Sequence, residues 1–333
     1  MKISSIAFAL GSVAVTTLPA QGVINAQLVA NTQLEATWLN APANTPGASM
    51  TQAPGPFSAC SLQVSQGGTA SYYANFGASG ANWSMNTGCY SWPGTGNLMR
   101  VAGDISLLLT APPTVTADIS VRLNSGGDGA GSNALFVQLN GSPIVGYFHG
   151  FNVMQRAVTW DFAAGPADIG AVVSNVFAQY PQGLSANVSV RPWADGATDL
   201  GDPCGLSGVD GDTHVWAHLA ALRPTTPQSI ARLEATGLGQ FAAFLISDQP
   251  TTSPTLPNGI VLSCPILSSI IASVPGVVTG VSTPRPWVTD VPTLPPGLEF
   301  YVQHACMTLP TSWNPRNLAN LGLTLSNRVR IRT

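Results

Sequence analysis

Hydrophobic and polar side chains alternate with a period of two through the last thirty-six residues, Leu298 to Thr333. In LEFYVQHACMT, Leu298, Phe300, Val302, His304 and Cys306 share one face; in LGLTLSNRVRIRT, Leu321, Leu323, Leu325, Val329 and Ile331 oppose Thr324, Ser326, Arg328, Arg330 and Arg332. Successive strand side chains point to opposite faces, so alternation over this length predicts half-buried antiparallel β-structure. A strand at a chain end is held only by its neighbours, which places a β-sandwich upstream.

The same alternation recurs along the chain. SLQVS and SYYANF, from Ser61, read as strands, and GASGANWSMNTGCYSWPGTGN after them is loop by composition. GDISLLLT leads through a turn at Pro112-Pro113-Thr114 into VTADISVRLN, where Val115, Ala117, Ile119, Val121 and Leu123 alternate with Thr116, Asp118, Ser120, Arg122 and Asn124. Asn140-Gly141 marks a hairpin turn between ALFVQL and PIVGYF. AVTWDF and ANVSVRPW continue the series. PADIGAVVSNVFAQY is the one helical candidate, with Pro166 at its start and Ile169, Val172, Val176 and Tyr180 at helical spacing, although its valines also suit a strand. Beyond Trp193, ADGATDLGDPCGLSGVDGD has no hydrophobic periodicity and reads as a linker, after which short strand patterns resume.

The expected fold is therefore all-β, with two tandem or closely packed antiparallel β-sandwich, jelly-roll-like domains. Residues 1–26 read as a signal peptide, 27–56 as an extended lead-in rich in Pro, Ala, Asn and Thr, 57–200 as the first sandwich and 201–333 as the second. A weak internal repeat supports two units: ISVRL, ALFVQLN and VSVRPW in the first half correspond in order to SIARL, AAFLIS and VSTPRPW in the second. The spacing differs, since Arg122 and Arg232 lie 110 apart but Arg191 and Arg285 lie 94 apart, so insertions must intervene.

The ending resembles the terminal pattern of a broad, largely uncharacterised group of exported β-sandwich proteins from planctomycete-type bacteria. The resemblance rests on EFYVQ at Glu299–Gln303, on LTLSNRVRI at Leu323–Ile331 and on the Pro-rich approach from Val291-Pro292 to Pro296-Gly297. It covers about the last 130 residues. It implies an exported sandwich and supplies no active site. Cys306 and the inserted PTSWNPRNLAN depart from the pattern.

Composition narrows the picture. Charged residues make only 8% of the chain, while Gly and Pro supply 61 of 333 residues, which suits short strands and many turns. Lys2 is the single lysine; without it, 11 Arg stand against 12 Asp and 3 Glu, a net charge of −4, so nothing here would grip a nucleic-acid backbone. MKISSIAFALGSVAV, followed by small-residue cleavage sites at Leu18-Pro19-Ala20 and Ile24-Asn25-Ala26, reads as a secretory leader. Its apolar run is shorter than the roughly 20 residues a bilayer needs, and no later segment reaches that length, so no membrane span is expected after cleavage. An extracellular or cell-surface location makes disulfides the default for Cys60, Cys89, Cys204, Cys264 and Cys306, one of which is left over. Cys60–Cys89 is the favoured pair and Cys264–Cys306 the next guess.

Candidate chemistry is sparse. No G-x-S-x-G elbow occurs, and GLGQFA at Gly237–Ala242 runs into a strand pattern rather than the helix a dinucleotide loop requires. His214 and His218, with Asp210 and Asp212 just before them, offer zinc or calcium ligands, against the plainer reading of a DGD turn and a solvent-facing strand side. No cofactor is otherwise implied. Tyr72, Tyr73, Phe76, Trp83, Tyr90 and Trp92 lie among Asn, Ser and Gly, the combination of flat rings, amides and hydroxyls that stacks on sugars. Their plainer reading is core cover and a stapled loop. Glu234 and Glu299 fall in strand patterns, and nothing in the sequence pairs them as glycosidase carboxylates. The expectation is a secreted, non-catalytic structural or surface-associated protein. The alternatives are a carbohydrate-binding module using the Trp83–Trp92 stretch, with polysaccharide or cell-surface components as partners, and a polysaccharide-active enzyme whose carboxylates meet only in three dimensions.

Overall fold

The computed structural model describes residues 24–28, 32–38, 48–52, 55–56, 61–66, 70–79, 82–91, 98–126, 134–148, 151–153, 155–178, 182–201, 204–206, 218–236, 241–249, 272–277, 287–308 and 322–333. Among these residues the chain is all-β, every strand pairing is antiparallel, and the only helical element is the 3-10 turn Phe162–Ala164. No helix among them is long and apolar enough to cross a membrane.

One sheet of six strands runs, edge to edge, through Gln155–Asp161, Thr116–Gly126, Gln182–Pro192, Asn82–Ser91, Ala70–Ser79 and Ser61–Gln66. A nine-stranded sheet packs against it, built on Leu98–Thr110, which pairs with Ala167–Ala178, Asn25–Leu28 and Thr32–Trp38. Val115, Ala117, Ile119, Val121 and Leu123 all point into the shared core, where they meet Ile105, Leu107, Leu109, Leu135, Val137 and Ile169. Each such aliphatic side chain withdrawn from water contributes roughly 1.5–3 kcal/mol, which is why the alternation fixes which face turns inward. The Asn140-Gly141 turn forms as expected: both residues have positive φ, 50° and 77°, and Leu139 pairs with Ser142 across it.

Four local expectations are overturned. The helical candidate is the strand Ala167–Ala178, hydrogen-bonded on both sides to Leu98–Thr110 and Ala134–Leu139; β-branched residues between two ladders outweigh a helical spacing that has no apolar groove to fill. The stretch expected to be loop, GASGANWSMNTGCYSWPGTGN, contains the strand Asn82–Ser91, which pairs with Ala70–Ser79, where SYYANF is a strand as expected. The period-two signal of Asn82–Ser91 was hidden by small side chains, for Met85 and Thr87 are buried and Trp83 half-buried while Asn82, Ser84 and Asn86 face outward. Asn25–Leu28, which straddles the expected end of the signal peptide, and Thr32–Trp38, Ala48–Gln52 and Gly55–Pro56 within the lead-in all join the nine-stranded sheet. The supposed linker contains Ala197–Asp199 and Cys204–Leu206, both paired with the C-terminal strand Gly322–Arg332.

A second core lies between a three-stranded sheet, His218–Leu222, Ser229–Thr236 and Trp287–Pro292, and a six-stranded sheet centred on Gly322–Arg332, Glu299–Thr308 and Phe241–Ser247. Leu219, Leu233, Phe244, Val302, Val329 and Ile331 fill it. The two C-terminal strands pair with each other from Glu299↔Arg332 to Thr308↔Gly322. Near the middle of that ladder a bulge between Gln303 and Ala305 breaks the alternation, so Gln303, His304, Ser326 and Asn327 are all buried.

The chain passes from one core to the other within three residues: Val190 belongs to the first and Trp193 to the second. Backbone bonds hold this crossing on both sides, with Trp193 N–H donating to Thr116 O at 2.8 Å and Ala194 N–H to Ala221 O at 2.7 Å. Just beyond, Gly196 sits at φ +78°, and a Cβ there would lie 2.4 Å from Arg332 O. Only glycine satisfies both the left-handed backbone and the close approach.

Candidate functional site

Arg191 occupies this crossing and anchors the one extended cluster of ionisable side chains among the described residues. It stands opposite Asp118 in the ladder between Gln182–Pro192 and Thr116–Gly126. Its Nη2 donates to Asp118 Oδ2 at 2.8 Å, and its Nη1 donates to Glu234 Oε2 on the strand Ser229–Thr236. The other carboxylate oxygen, Asp118 Oδ1, lies 2.8 Å from Nε2 of His218. Four residues from four strands, two in the six-stranded sheet of the first core and two in the three-stranded sheet of the second, thus share one carboxylate–guanidinium chain.

Asp118 is the exception in its strand. Its neighbours on the polar face, Thr116, Ser120 and Arg122, are half-buried or exposed, whereas Asp118 is 1% exposed because His218 closes over it. The strand His218–Leu222 is buried at every residue. Burial alone would raise the Asp118 carboxyl; the hydrogen bond and charge of His218, followed by those of Arg191, outweigh it and hold the carboxyl below its ordinary value of 3.8. Burial likewise opposes the Arg191 cation, yet the Asp118 and Glu234 carboxylates raise its pKa. Each carboxylate has a cation in contact, which suits a structural tie, and Asp118 is held away from the protonated state a general acid needs.

A second polar group lies within the second core. Asn327 reaches across to the facing sheet, where its Oδ1 accepts from Leu219 N–H at 2.7 Å and its Nδ2 donates to Leu219 O at 2.9 Å. One amide side chain thereby stands in for a neighbouring strand. Ser326 Oγ accepts from His304 N–H at 2.9 Å, and Gln303 Nε2 donates to Ser326 O at 3.1 Å. The His304 ring packs 5.1 Å from Phe244 and 6.0 Å from Trp287, centroid to centroid. Burial in these surroundings pushes His304 down to about 4 and the neighbouring Cys306 thiol up to about 12. Although Cys306 Sγ lies 3.5 Å from His304 Nδ1, neither group is poised as a nucleophile or base: the imidazole stays neutral and the thiol protonated.

The residues singled out from the sequence scatter. His218 is neither a free metal ligand nor solvent-facing, since its Nε2 is engaged by Asp118; Asp210, Asp212 and His214 lie outside the described residues. Among the described residues no three His, Cys, Asp or Glu side chains gather as a metal site. Trp83 is half-buried against the first core and its indole N–H donates to Ile24 O at 2.5 Å, so it staples the two sheets. Tyr72, Tyr73 and Tyr90 lie in paired strands whose side chains are outside the described set, as are Trp92 and Cys60 altogether. Cys306 is a free, buried thiol, which overturns the Cys264–Cys306 pairing: its side chain is enclosed in the core beside His304, with Cys264 outside the described residues. Glu299 accepts from Tyr301 and Arg332 at the C-terminal end of the sheet. Nothing in the sequence marks Asp118 and Arg191 as partners, because each reads as an ordinary polar-face residue in its own strand.

No family model matches the chain, and no curated protein matches it. Among solved structures it is similar to the structure of a beta-glucuronidase from glycoside hydrolase family 2, at 10% identity and a TM-score of 0.17. That similarity covers 87% of this chain and 29% of the other, so the chain spans less than a third of that protein's length. A likeness at this level carries no argument about what this chain does.

Proposed function

We propose that this chain is an exported, surface-associated β-sandwich protein that acts without catalysing a reaction. The observation behind this reading is the Asp118–Arg191–Glu234–His218 cluster, whose four groups neutralise one another where the chain passes between two cores. Such a tie favours a fixed arrangement over chemistry, since an acid–base pair needs one carboxyl held protonated and accessible. The leader reading is sharpened by Ile24, fully buried in the first core, and Ala26, nearly so. Cleavage after Ala20 leaves both in place, whereas cleavage after Ala26 would remove them.

The test is expression of the full chain in a bacterial host with an intact export pathway. Mass spectrometry should find the mature chain outside the cytoplasm and beginning at Gln21. Incubation with soluble polysaccharides should release no reducing ends. Retention in the cytoplasm would sink the exported reading, and steady release of reducing ends that survives purification would sink the non-catalytic one.

A further inference from the structure

The outer face of the first six-stranded sheet continues past the Asp118 junction as a polar trough. Asn86, Asn187 and Arg122 are directly opposite one another on three adjacent strands, and Ser84, Ser189 and Ser120 form the next row toward the junction. At about 4.8 Å between strands, each row spans roughly 10 Å, and the two rows lie roughly 7 Å apart. The long amide and guanidinium side chains are exposed, the serines at positions 120 and 189 are half-buried, and together they line a depression of about 460 Å³.

We infer that this trough binds an acidic polysaccharide lying across the strands. Between the inward-facing Met85, Val121 and Val188, the outward side chains that line it are hydroxyls, amides and one guanidinium, the groups that hydrogen-bond sugar hydroxyls and, through Arg122, a sugar carboxylate. Among the described residues no carboxylate lines it and no ion pair engages Arg122, whereas nearby Arg191 is neutralised by Asp118 and Glu234. A folded protein partner fits poorly, since the exposed large hydrophobics among the described residues are Val288 and Leu298, both in the other half of the chain. An added peptide strand would need a sheet edge, and these three strands are interior.

This inference rests on the surface-associated reading and gives it a partner. The test is affinity electrophoresis of the full chain through gels containing polygalacturonate or neutral dextran, with sodium sulfate as a competing simple anion. Polygalacturonate should retard the chain and dextran should not. Arg122→Gln should weaken retention roughly tenfold, and the Asn86→Ala/Asn187→Ala pair should weaken it with Arg122 still present. All these side chains are exposed, so melting curves of the variants should match the parent, and Arg332→Gln serves as the control for unspecific charge. Unchanged mobility in polygalacturonate, equal loss in the Arg332→Gln control, or full displacement by sulfate at matched ionic strength would overturn the site. Cutting of the polymer would instead refute the non-catalytic reading and leave the site standing.

Discussion

Asp118 and Glu299 each accept from an arginine and from one further side chain, yet one is sealed from water and the other is partly open to it. At the junction, Asp118 is held between His218 and Arg191 with 1% of its side chain exposed. At the C-terminal end of the sheet, Glu299 accepts from Tyr301 and Arg332, whose side chain is 58% exposed. Hydrogen bonds from Tyr301 and Arg332 lower the Glu299 carboxyl, but water reaches both members of the Glu299–Arg332 ion pair. The contrast shows why contact geometry alone does not rank ion pairs. Exposed pairs gain little over their hydrated components, whereas a buried charge that loses its partner cannot recover its hydration.

The largest expected effect follows from that difference. Asp118→Ala leaves Arg191 and His218 facing each other without the carboxylate between them, and should cost roughly 3–5 kcal/mol in urea unfolding. A loss within error of zero would place the junction on the same footing as the surface pair. The triple variant Asp118→Asn/Arg191→Met/Glu234→Gln should recover part of the loss, because it removes the cation together with its second carboxylate.

Acid titration separates the junction from the second core. Below pH 6.5 the unfolded chain protonates its histidine while buried His304, pushed down to about 4, does not, so stability falls from pH 6.5 toward 4 and levels off below. The full drop is about 3 kcal/mol. His304→Phe should abolish that slope. Asp118 acts in a lower window: its carboxyl is held below 3.8, so its contribution is complete above that pH and disappears as the folded carboxyl protonates. A slope between pH 6.5 and 4 that survives His304→Phe would break this assignment.

Smaller effects complete the series. Asn327→Leu removes the amide that satisfies both backbone groups of Leu219 and should cost about 1–3 kcal/mol, with hydrogen exchange quickening at Leu219. The Cys306 thiol, enclosed and pushed up to about 12, should resist a maleimide in the native chain and react once the chain unfolds. Arg332→Ala should leave the melting temperature unchanged within error, and a clear drop would show that the exposed group is coupled to the core after all.

Much of the fold was legible because period two is a local consequence of strand geometry. Val115 to Leu123 and Leu325 to Ile331 announce their inner faces without reference to any other part of the chain, and Asn140-Gly141 announces its own turn. Legibility failed where local composition is ambiguous. Small polar residues hid the Asn82–Ser91 strand, and Ile and Val at helical spacing disguised Ala167–Ala178. The junction failed for another reason: Asp118 and His218 are 100 residues apart.

By itself, then, the sequence determined the all-β character and which residues of most described strands face a core, because backbone geometry and the hydrophobic effect act on neighbours. Only the tertiary structure decided what covers each polar face. Thr116, Asp118, Ser120 and Arg122 are equivalent in the alternation. His218 closes over Asp118 and makes it half of a buried ion pair, while Arg122, four residues on, is left facing water. That distinction depends on where a distant strand docks, and no periodicity within the Asp118 strand encodes it.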